Sequence, residues 1–76
     1  MTNANNELWR AGQGVLFGYT ENKDLMQRIK RYKFKRGWKI VADYTKDGKL
    51  IALQYRIPVE QRRVAERMFQ TETLDE

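Results

Sequence analysis

The sequence predicts a small α+β domain of order strand, helix, strand, strand, helix, with a three-stranded sheet carrying both helices on one face. Three observations point there. Residues 15–20 alternate like a strand, residues 23–35 carry an apolar stripe at helical spacing, and residues 38–57 form two alternating runs around Asp47-Gly48. A chain of 76 residues is one domain, 1–76, near the lower limit at which a core holds without staples. It contains no cysteine, so neither disulfides nor thiolate metal sites contribute. Apolar content of 41% suffices for one core.

Taken in order, residues 1–13 predict a partly flexible arm. Asn5 or Asn6 could cap a short helical turn carrying Leu8 and Trp9 inward, or a mobile tail could lay one tryptophan on the core. Val15, Phe17 and Tyr19 then share one strand face, with Leu16, Gly18 and Thr20 on the other. Gly18 marks a bulge or a close approach of another backbone. Thr20 or Asn22 caps the next helix, expected to run to about Lys35 with Leu25, Met26, Ile29 and Tyr32 inward. Gly37 is placed to end it in the left-handed conformation, with Trp38 folding back on the last turn.

The Asp47-Gly48 pair predicts a two-residue hairpin loop. That register sets Tyr44 against Ile51, Ala42 against Leu53, Ile40 against Tyr55 and Trp38 against Ile57, an apolar face throughout. The opposite face sets Lys39 against Arg56 and Val41 against Gln54. Pro58 ends the strand. Residues 59–70 predict a helix with Val64, Ala65 and Met68 inward, Phe69 at the stripe's edge, and Arg62 able to pair with Glu66. Residues 71–76 predict a frayed acidic tail. With the second hairpin strand between the other two, this arrangement resembles a ferredoxin-like split unit lacking its last strand. Its uncovered face is expected to show Lys39, Val41, Gln54, Arg56, Leu16 and Thr20. A homodimer through that face is expected on the strength of Val41 and Leu16.

Charge is the strongest functional signal. The chain has 15 basic and 10 acidic residues, net +5. Residues 23–39 alone hold eight basic residues and one acid, Asp24, so the remainder is net negative. A local positive field attracts a polyanion. The expected contact residues for nucleic acid are Arg28, Lys30, Arg31, Lys33, Phe34, Lys35, Arg36, Lys39 and Arg56. The cations would meet phosphates and Phe34 would stack on a base. DNA and RNA, single and double strands, stay open. The alternative is a protein-interaction module that binds an acidic surface of a larger protein.

The run from Trp38 to Ala65, with its Asp47-Gly48-Lys49 turn, is similar to the arm-binding domains of tyrosine recombinases over about a third of the chain. That similarity implies a three-stranded sheet reading DNA. No histidine is present and the acids are scattered, so neither an enzyme nor a cofactor is expected. No apolar run long enough to span a bilayer and no signal peptide are seen, so a cytoplasmic location without membrane contact is expected.

Overall fold

The computed structural model of the chain describes residues 5–74. In chain order it contains strands β1 (Glu7–Arg10) and β2 (Val15–Thr20), helix α1 (Lys23–Tyr32), and a 3-10 turn at Phe34–Arg36. Strands β3 (Lys39–Lys46) and β4 (Lys49–Pro58) follow, then a second 3-10 turn (Val59–Gln61), helix α2 (Arg62–Phe69) and strand β5 (Thr73–Leu74). The α+β class with two helices and one sheet holds, but the sheet has five strands rather than three, in the order β3-β4-β2-β1-β5. β4 lies between β3 and β2, antiparallel to both. The last strand missing from the expected split unit is present as β5, and β1 separates it from β2. Five strands also depart from the three-stranded sheet implied by the recombinase similarity.

Both added strands come from segments predicted to be loose. In place of a helical turn or mobile arm, Glu7–Arg10 pairs antiparallel with β2, and Leu8 is fully buried. Asn6 fixes the entry. Its Nδ2 donates to the Phe69 carbonyl at 3.0 Å, and its Oδ1 accepts from the buried Thr20 hydroxyl. In place of a frayed tail, Thr73–Leu74 runs parallel to β1, and the Thr73 N–H donates to the Glu66 carboxylate at 2.9 Å. Asp75 and Glu76, like residues 1–4, lie outside the described residues.

One core holds the layers together. Leu25, Met26 and Ile29 of α1 and Ala65 and Phe69 of α2 pack on Leu8, Leu16, Leu53, Tyr55 and Ile57 of the sheet. Phe69 is fully buried at the centre of α2's stripe rather than at its edge, with Val64 and Met68 only half-buried. Gly18 explains why. A Cβ there would stand 2.8 Å from the Phe69 ring and 3.0 Å from Ile57 and Leu8, so the glycine is the space the ring occupies. This close approach also decides which way β2 faces. Leu16, Gly18 and Thr20 lie under the helices, while Val15, Phe17 and Tyr19 face out. The expectation that Leu16 and Thr20 line the open face is therefore overturned. The homodimer expected there loses Leu16 as its motive.

α1 is capped by Asn22, whose Oδ1 accepts from the Leu25 N–H at 3.1 Å. The helix stops at Tyr32, short of the expected Lys35, and tightens into the 3-10 turn. Gly37 closes that turn at φ 95°, as expected, and the Trp38 N–H returns to the Lys33 carbonyl at 3.3 Å. Tyr32, predicted inward, is 57% exposed, whereas Trp38, at 1%, packs beside Tyr55 and Phe69.

The hairpin turn has Asp47 at φ 54° and Gly48 at φ 79°, the conformation a two-residue primed turn needs. The predicted register holds at both ends, where Lys46 meets Lys49, Ile40 meets Tyr55 and Lys39 meets Arg56. Between them it slips by one residue. Tyr44 faces Ala52 rather than Ile51, Asp43 rather than Ala42 faces Leu53, and Ala42 faces Gln54. Extra residues at Val41 in β3 and Ile51 in β4 create and cancel the slip, and both are exposed. β3 is an edge strand exposed over nearly its whole length. No burial enforces strict alternation there, and bulges that increase local twist are tolerated.

Candidate nucleic-acid interface

The basic residues singled out by sequence occupy three places. Arg28 and Arg31 stand on the exposed flank of α1, where Arg28 meets Asp24 at 3.6 Å and Arg31 lies 5.9 Å from the Tyr32 ring centroid. The Arg28–Asp24 pair is solvent-exposed and holds little energy. Lys30 lines a groove of about 370 Å3 between α1 and the β3–β4 hairpin. Ile40, Leu53, Tyr55 and Phe34 also line the groove. Phe34 is 40% exposed and 6.4 Å from the Tyr55 ring, so it rests on the core edge rather than projecting freely.

Lys33, Lys35 and Arg36 form the corner that carries the chain from the helix layer to the sheet's edge. That corner is tied down. Trp38 Nε1 donates to Gln61 Oε1 at 3.0 Å, and Gln61 Nε2 donates to the Arg36 carbonyl at 2.8 Å. Adding a Cβ to Gly37 would bring it to 3.3 Å from Pro58. The cations at the corner thus sit on ordered backbone, and the lysine and arginine side chains at 35 and 36 are exposed.

Lys39 and Arg56 lie on the other side, on the sheet face away from the helices. They are direct cross-strand partners and both are exposed. Among the described residues neither has a carboxylate within ion-pair distance. Like charges set opposite each other repel, and an anion between them removes the repulsion.

This outer face holds residues that the basic-stretch reading left out. The register lines up Trp9, Phe17, Arg56 and Lys39 in one row across four strands. The Trp9 and Phe17 rings meet edge to face at 5.9 Å, and those of Tyr19 and Tyr44 at 5.7 Å. Tyr44 is 40% exposed and the other three are half-buried. Its hydroxyl donates to Gln54 Oε1 at 3.1 Å. The Tyr19 hydroxyl donates to Glu21 Oε2 at 2.8 Å, and this bond, followed by burial, raises the phenol's pKa above its ordinary value. The acids on this face, Glu7 and Glu21, sit at the end of β1 and β2 away from the Lys39–Arg56 row. Phe17 and Tyr19 were legible as a shared strand face. Trp9 joins them only once β1 is recognised as a strand.

Among the described residues no cluster of three or more His, Cys, Asp or Glu side chains is placed to hold a metal ion. No helix among them is long and apolar enough to cross a membrane. No family model, no curated protein and no solved structure matches this chain.

Proposed function

We propose that the protein binds nucleic acid through phosphate contacts made by its basic corner and the adjoining sheet edge. One observation carries the reading: Lys39 and Arg56 face each other across neighbouring strands, with no carboxylate of the described residues to neutralise them. Lys35 and Arg36 stand four and three residues before Lys39, respectively, on a turn braced by Gln61. Arg28, Lys30, Arg31 and Lys33 extend the positive field over α1. Such contacts supply affinity without sequence information.

The test is fluorescence anisotropy against labelled nucleic acid at two salt concentrations. Neutralising about five to six phosphates gives a slope of log K against log salt of about −4 to −5. Arg31, Lys35 and Arg36 are exposed, so replacing all three by Ala leaves the fold and flattens that slope. An unchanged slope in the triple variant, or no binding at low salt, overturns the proposal.

A second reading, docking of an acidic protein, draws on Ile40, Val41 and Ile51, apolar side chains exposed at the hairpin edge. Their replacement by Ser leaves nucleic-acid affinity intact. If it instead removes a saturable complex with a protein partner, the second reading is the correct one.

A further inference from the structure

We infer that the outer sheet face is a stacking platform for unpaired bases, so that the ligand is single-stranded nucleic acid rather than duplex. This rests on the phosphate reading above and adds to it a second set of residues: Trp9, Phe17, Tyr19 and Tyr44.

Position comes first. Four aromatic rings lie on the one face that no helix covers, in two edge-to-face pairs. A ring that only completed the core would lie beneath α1 or α2, as Trp38, Tyr55 and Phe69 do. Aromatic faces stack on any base, and bases are available for stacking only where they are unpaired.

Charge complementarity then selects the occupant. The row that contains Trp9 and Phe17 continues into Arg56 and Lys39. Across those four strands the distance is about 14 Å. A strand lying along this row would place bases over the rings and phosphates against the two cations. Glu7 and Glu21, beside Tyr19 at the other end of the face, repel phosphates and so hold the phosphates, though not the bases, toward the cationic row. A second copy of this chain would instead set the Lys39–Arg56 pair against another cationic pair, or against the acids in one register only.

Intrinsic fluorescence tests this directly. Trp38 is buried with its indole N–H satisfied by Gln61, so a ligand on the outer face reaches Trp9 alone. The probes are a short single strand, the duplex of the same sequence, and inorganic polyphosphate, which has the charge but no bases. The single strand should bind more tightly than the duplex at matched salt and quench Trp9. Polyphosphate should bind without quenching. Trp9→Phe should abolish the quench while binding persists. Phe17→Leu should weaken single-strand binding by at least about fivefold and leave polyphosphate binding unchanged. The Trp38 emission maximum reports whether each variant is folded.

Equal binding of single strand and duplex, with no quench, overturns the platform and leaves the phosphate reading standing. Failure of all three probes to bind at low salt overturns both. Sedimentation that shows a dimer, dissociated by Phe17→Leu, assigns the face to a second copy and overturns the platform.

Discussion

At the scale of single residues, Gly18 and Trp38 set more of the fold than their neighbours do. Gly18 has no need of a left-handed backbone; its role is to leave room for Phe69. Gly18→Ala forces the Phe69 ring, Ile57 and Leu8 apart and should cost about 1–3 kcal/mol. Urea denaturation measures this. Phe69→Leu in the same chain should recover part of the loss, because it removes the atoms the new methyl meets. A Gly18→Ala protein as stable as the parent would mean that Phe69 is not seated as described. Gly18 was visible in the sequence as a strand glycine needing an explanation, but the ring that explains it is 51 residues away. No local pattern links the two. Trp38 was legible as a residue folding back on the helix end. That Trp38 is buried while Tyr32 stays exposed was not, since both are aromatic and both were expected to pack inward.

At the scale of elements, the features with strong local chemistry were legible and the short ones were not. Asn22 as a cap, Gly37 as a terminator and Asp47-Gly48 as a turn each depend on neighbours in sequence. β1 and β5 have four and two residues, too few for alternation to register, and they exist because other elements hold them. Asn6 hydrogen-bonds Thr20 and Phe69, and Glu66 accepts from Thr73. The mid-hairpin slip escaped detection because β3 is an uncovered edge where apolar alternation carries no burial energy. Gly48→Ala places a side chain at φ 79° and should destabilise the protein by about 1 kcal/mol, read as a lower urea midpoint. The Thr73 N–H holds the Glu66 carboxyl below its ordinary pKa. A depressed carboxyl stabilises the fold above its unfolded pKa, and that contribution fades as pH falls through the lower folded value. Glu66→Gln should therefore make stability less sensitive to acid and speed exchange of the Thr73 amide. An unaltered acid profile would show that the β5 tie does not depend on the carboxylate.

At the scale of the whole molecule, one core supports two chemically different surfaces. The helix layer and its corner carry most of the net charge, and the opposite sheet face carries the aromatic rings. Composition alone revealed the first surface, since charge clusters along the chain. The second appears only when β1 brings Trp9 beside Phe17. Tyr55 sits between the two surfaces, 1% exposed, with Trp38 and Phe34 each 6.4 Å from its ring. Burial pushes its phenol up from 10.0 to about 12. The neutral form is the one the fold accommodates, so the stabilisation is complete below about pH 10, the unfolded pKa, and is lost as pH rises through about 12. Across that window linkage withdraws about 3 kcal/mol, a large share of what a domain of this size holds. Alkaline unfolding alone does not isolate Tyr55. Tyr55→Phe does, because it keeps the ring and removes the ionisation. The parent's urea midpoint, followed by near-ultraviolet circular dichroism, should fall between about pH 10 and 12, and that of Tyr55→Phe should fall less. If the two proteins lose structure together, the phenol is not sealed in the core. The groove beside it would then have to admit water as far as the sheet, and the outer face would no longer rest on a rigid support.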